Sequence, residues 1–123
     1  MMNNIKVAEG VYYVGAVDWD QRNFHGYHTP RGVTYNSYLI VDEKICLIDA
    51  VKAPFADELL ERISEIVDPA KIDYVVTNHA EPDHSGALPK LMEKAVNAKM
   101  VLTASGKEGV IKHYHASYDF MVV

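Results

Sequence analysis

The sequence predicts a mixed α/β layered fold, on three observations. Short β-rich runs dominate the first half, apolar residues at helical spacing appear after Pro54, and strand-like and helical segments then alternate.

In chain order, Val11-Tyr12-Tyr13-Val14 is a β-prone run bounded by Gly10 and Gly15. Residues 18–32 are polar, aromatic and glycine-containing with no steady period, which predicts a long loop. Long ordered loops in small domains are more often functional than decorative. Residues 36–41 and 45–49 are β-rich runs flanking Asp42-Glu43-Lys44, the pattern of a hairpin.

Pro54 suits the first turn of a helix. Phe55, Leu59, Ile63, Ile66 and Val67 follow at helical spacing, with Asp57, Glu58, Glu61, Arg62 and Glu65 on other faces. Asp68-Pro69 predicts its end. Residues 72–77 form the next strand, and 85–96 a second helix with Leu88, Leu91, Met92 and Ala95 as its apolar face. Residues 100–103 are again strand-like. Ser105 and Glu108 have the spacing of a capping box, opening a third helix that runs to about His115. The last residues, Asp119-Phe120-Met121-Val122-Val123, read as the opening of one more strand, either a plain edge strand or a sign that the chain is part of a longer protein.

With 123 residues the chain has room for one domain with a core of its own. The formal net charge of −5, without any Lys/Arg cluster, argues against nucleic acid as a partner. No apolar stretch reaches membrane-spanning length, and the Met1-Met2-Asn3-Asn4 start lacks the basic and apolar regions of a signal peptide. Cys46 is the single cysteine and sits between Ile45 and Leu47, which predicts a buried, inert thiol. A cytoplasmic location is the expectation.

The chemistry concentrates in His79-Ala80-Glu81-Pro82-Asp83-His84. Two imidazoles and two carboxylates follow directly on an apolar run, Tyr74-Val75-Val76, so a strand end would converge them. This mixed, fairly hard donor set suits iron or manganese better than thiolate-rich structural zinc sites do. In extended chain His79, Glu81 and Asp83 share one face, and Pro82 lets His84 approach from another direction. Such an arrangement serves two metals, one through His79 and Glu81, its neighbour through Asp83 and His84. Four donors do not complete two metal shells, so further ligands are required. Of the other histidines, His113 and His115 lie two apart on a helix and face different ways, one exposed and the other near the core. His25 and His28 sit in the aromatic loop. His25 is either a hydrogen-bonding neighbour of the metals or a loop histidine held by backbone contacts. Asp49, closing an apolar strand, supports a turn or a neighbouring ligand.

The run Thr77-Asn78-His79-Ala80-Glu81-Pro82-Asp83-His84-Ser85-Gly86 resembles the diiron motif of the flavodiiron proteins, or A-type flavoproteins. That family carries H-x-E-x-D-H on a metallo-β-lactamase fold. The Trp19-Asp20 to Phe24-His25-Gly26-Tyr27 loop and the Leu47-Ile48-Asp49 strand end are similar to the family as well. The hydrolases of this fold have His where Glu81 stands, and a carboxylate there hardens the site toward iron.

The resemblance implies the N-terminal half of an αββα metallo-β-lactamase-like sandwich, a mixed sheet with flanking helices. It implies a non-haem centre of two irons, with His79 and Glu81 on one iron and Asp83 on the second. His84 would ligate the second iron or stand beside it, His25 would lie in the pocket, and Asp49 would be a structural acid beneath the site. Family members have a diiron domain about twice this length, whose second half supplies two further histidines and a bridging aspartate. A flavodoxin-like FMN domain follows. None of these is present in residues 1–123, so the chain is expected to be part of a longer protein, and alone to bind iron weakly and lack turnover.

The implied activity is reduction of O2 to water or NO to N2O with electrons from FMN. Rubredoxin or a flavin reductant would be the donor, and a head-to-tail homodimer the assembly. Two alternatives stand beside it: a hydrolase of the same fold with a dinuclear metal site, and a diiron oxygen sensor.

Overall fold

The computed structural model describes residues 5–18, 23–24, 27–28, 33–78 and 85–123. Seven strands form one mixed sheet in the order β1 (Ile5–Ala8), β2 (Val11–Tyr13), β7 (Tyr38–Val41), β8 (Ile45–Ile48), β9 (Tyr74–Val76), β10 (Lys99–Leu102) and β11 (Phe120–Val122). The first four are joined antiparallel. From β8 onward every pairing is parallel. Parallel neighbours need crossovers, and helices supply them: α1 (Ala56–Ser64) between β8 and β9, α2 (Leu88–Lys94) between β9 and β10, and α3 (Ala104–Tyr114) between β10 and β11. This is the mixed sheet with flanking helices expected of a β-lactamase-like fold.

One row of the sheet, Leu39, Leu47, Val75 and Met100, is in register across the central strands and wholly buried. These side chains join Leu59 and Ile63 of α1, Leu88 and Leu91 of α2, and Val110 of α3 in a single core. Full burial of each aliphatic side chain contributes about 2 kcal/mol. Alternate residues point to the opposite face. There the row Tyr13, Tyr38, Ile48, Val76, Val101 and Met121 is equally apolar but only half-buried. Tyr13 and Tyr38 pack edge to face there, ring centroids 5.6 Å apart.

Two smaller pairings complete the description. β3 (Ala16–Asp18) pairs with β6 (Val33–Tyr35), and β4 (Asn23–Phe24) with β5 (Tyr27–His28). The β2–β3 and β6–β7 junctions stay linked by the Val14 amide donating to the Ser37 carbonyl at 2.9 Å. At this corner Gly15 is buried against its neighbour. A Cβ there would lie 2.1 Å from the Tyr35 carbonyl oxygen, which no side chain allows.

Several sequence expectations change. β1, β3 and β6 were not foreseen, and β4 and β5 interrupt the loop expected over 18–32. The first helix is preceded by a 3-10 turn at Ala53–Phe55, with Pro54 in its first turn, and ends at Ser64 rather than at Asp68-Pro69. Ile66 and Val67 still pack on the core, their amides both donating to the Ile63 carbonyl. Asp68 instead caps a second 3-10 turn through the Ala70 amide, at 3.0 Å. The helix expected over 85–96 is α2 alone. Ser85 is helical, but a turn at Gly86 and Ala87 separates it from Leu88. Pro89 has no amide hydrogen to donate back to residue 85, so a continuous helix would lose that bond.

Ser105 is not a cap. Thr103 is, its hydroxyl accepting from the Gly106 amide at 3.0 Å, so α3 begins two residues earlier. Cys46 is half-buried rather than buried.

Candidate metal centre

The carboxyl ends of β8, β9 and β10 lie side by side, and in sheets of this kind ligands gather at that edge. β8 ends at Ile48, and Asp49 turns the chain away with φ 60°, a left-handed conformation that Asp tolerates better than most residues. Four hydrogen bonds stabilise it, two of them through its side chain. The Asp49 amide donates to the Val76 carbonyl at 2.8 Å, the Ser37 hydroxyl donates to the Asp49 carbonyl at 2.9 Å, and the side chain is spent on Asn78.

The Asn78 backbone amide donates to one oxygen of the Asp49 carboxylate, and the Asn78 side-chain amide to the other, both at 2.9 Å. A carboxylate with both oxygens engaged is held in orientation as well as in place. Asn78 is the residue before His79, so Asp49 governs the direction in which the chain leaves β9. This is the supporting role expected of Asp49.

Thr77, between β9 and Asn78, donates its amide to the Val101 carbonyl at 2.8 Å. Its hydroxyl is buried and has no hydrogen-bond partner among the described residues. On the far side of the motif, Ser85 is fully buried, and its hydroxyl lies 2.6 Å from that of Tyr114 in α3. Just beyond, the Ala87 amide donates to the Val51 carbonyl at 2.9 Å.

His25, His79, Glu81, Asp83 and His84 themselves lie outside the described residues. Among the described residues no group of three or more His, Cys, Asp or Glu side chains comes together as a metal site. His113 and His115 are both exposed, so neither is near the core as one of them was expected to be. His115 is the left-handed cap of α3, with φ 52°. Ser37 and Tyr114 were missed by sequence reasoning, since each acts on a partner remote in the chain. Asn78 stood inside the motif but carried no signal of its own.

The donor set of the motif fits a hard or borderline metal pair, and the described residues on either side of it are held in place. One flank is tied by two bonds to a carboxylate and the other is buried, and the buried Thr77 hydroxyl has no partner among the described residues.

Residues 33–123 match the family described as ODP family beta lactamase. The chain belongs to that family. Within this ODP family its likeness is to the flavodiiron proteins, as the motif implied. The chain is 44% identical over 126 residues to a nitric oxide reductase of Moorella thermoacetica, covering 100% of this chain and 32% of that protein. It is 46% identical over 115 residues to the rubredoxin-oxygen oxidoreductase of Megalodesulfovibrio gigas, covering 93% and 29%. The crystal structure of the flavodiiron protein from Giardia intestinalis superposes with a TM-score of 0.95 at 44% identity, over 100% of this chain and 30% of that one. The ODP chain thus spans about a third of the length of these relatives. No described helix is long and apolar enough to cross a membrane.

Proposed function

We propose that this chain forms part of a flavodiiron reductase of oxygen, nitric oxide or both. One observation carries the reading: His79-x-Glu81-x-Asp83-His84 follows β9 at the carboxyl edge of the sheet, in a chain 44% and 46% identical to a nitric oxide reductase and a rubredoxin-oxygen oxidoreductase.

In this proposal His79 and Glu81 hold one iron, Asp83 holds the second, and His84 ligates the second or stands beside it. Once bound, the iron pair supplies the redox chemistry, binding the diatomic substrate and passing it electrons received from FMN. The chain's own task is positional. Asp49 aims Asn78, and hence the departure of the motif from β9. Buried Ser85 anchors the residue that directly follows the motif. His25, brought by the aromatic loop, would donate a hydrogen bond in the pocket. Glu81 gives the site a carboxylate where a hydrolytic relative has an imidazole, which favours iron over zinc. FMN, a redox donor such as rubredoxin, and the remaining ligands come from outside residues 1–123, with a head-to-tail dimer bringing flavin and iron together in the cytoplasm.

The test is metal and flavin analysis of the full-length protein, followed by anaerobic reduction and addition of O2 or NO. Two irons and one FMN per protomer, with consumption of either gas, are expected. Zinc without flavin would establish the hydrolase instead, and iron without flavin or turnover the sensor.

A further inference from the structure

Resting on that reading, we infer that Tyr114 is a positioning residue for the metal-binding motif, acting through its hydrogen bond to Ser85. The motif lies between two anchored residues. Its leading flank, Asn78, is tied to Asp49 by two bonds. Its trailing flank, Ser85, follows His84 directly, is fully buried, and sits 2.6 Å from the Tyr114 hydroxyl. That separation is at the short end for two hydroxyls.

Tyr114 is well placed to act as a fixed post. It is the last residue of α3, a helix closed at both ends: the Thr103 hydroxyl caps its start, and left-handed His115 stops it, with the His115 amide donating to the Ile111 carbonyl at 2.9 Å. The Tyr114 ring packs against the core and meets the His113 ring edge-on, centroids 4.7 Å apart. The hydroxyl is therefore carried on a rigid element. Groups that orient a metal-bearing segment without touching the metal still alter its affinity, because a ligand displaced from its geometry binds less well.

The test uses full-length protein loaded with Fe(II) anaerobically, reading iron release to a chromogenic chelator and the absorption spectrum of the oxidised centre. Tyr114→Phe removes only the hydroxyl and is expected to release iron about 10-fold faster, with a shifted spectrum. Ser85→Ala should release iron at least as fast, and the double variant should be no faster than Ser85→Ala, since both changes cut the same bond. Thr103→Ala weakens the start of the same helix but leaves the bond in place, and is expected to accelerate release less than Tyr114→Phe.

An unchanged rate in Tyr114→Phe overturns the inference, and so does equal acceleration in Thr103→Ala. If Ser85→Ala does not fold, those two variants decide the matter. A wild-type protein that takes up no iron overturns the proposed function and this inference with it. Tight wild-type binding with unaffected variants overturns the inference alone.

Discussion

Two aspartates close opposite ends of the same strands, and they do so differently. At the amino end of β9, Asp73 stays in the sheet. Its amide donates to the Ile45 carbonyl, its carbonyl accepts from Lys99, and its carboxylate accepts from the Ile45 amide at 2.8 Å. At the carboxyl end of β8, Asp49 has left the sheet geometry, with a positive φ and its carboxylate spent on Asn78. The first aspartate extends a ladder. The second interrupts one, and the backbone cost falls at the edge where the metal motif begins. Strain of this kind clusters at functional sites because the surroundings over-determine it.

Breaking Asp49 should therefore have the largest effect. Asp49→Ala loses two charged hydrogen bonds and leaves a Cβ-bearing residue at φ 60°, which together should cost about 3 kcal/mol in chemical denaturation. Iron retention in the full-length protein should fall with it. Asp49→Gly relieves the backbone but not the missing carboxylate, so it should recover part of the stability and none of the iron. Recovery of both would assign Asp49 to the turn alone.

A smaller effect is expected at the other end. Asp73→Ala removes one acceptor from the Ile45 amide and should cost about 1 kcal/mol by the same measurement, with iron retained as in wild type. Equal iron loss at both ends would erase the distinction drawn between them.

Cys46, on β8 between the two aspartates, should give the smallest signal. Burial pushes its thiol above the ordinary value of 9.0. The folded chain thus favours the neutral thiol. That stabilisation is fully present below the unfolded pKa and is lost as pH rises through the folded one. Iodoacetamide alkylation of native protein should follow a pH profile displaced to the alkaline side of the unfolded chain's, and coincident profiles would contradict the burial.

What was legible in the sequence follows the same division. β7 to β10 are compact apolar runs with turn residues between them, and each was visible. β1 was not, because Ile5 and Val7 are 48% and 58% exposed and the segment has no buried face to imprint a pattern. β3 and β6 are too short for a period. The cap of α3 was misassigned because Ser105 and Glu108 have capping-box spacing, while the tertiary start of the helix made Thr103 the first residue outside it.

At the site, His79 to His84 could be read as a metal motif because its donors are adjacent in sequence. Asp49 could be read as a support because an acid ending an apolar strand needs a purpose. Ser37 and Tyr114 could not. Their bonds join residues 12 and 29 positions apart, and no local pattern records such pairs.

Gly15 acts as the fulcrum of a lever. It lies where the β2–β7 pair bends into the β3–β6 pair, and the tightness of that bend is set by an absent side chain. Each strand residue advances the chain by about 3.3 Å, so a small angular error at the corner grows along β3 into a displacement of ångströms. Asp18 ends that arm, and the segment that contains His25 follows it in sequence. Substituting Gly15 would misdirect the far end of β3 from a distance, an aiming defect rather than a loss of binding groups.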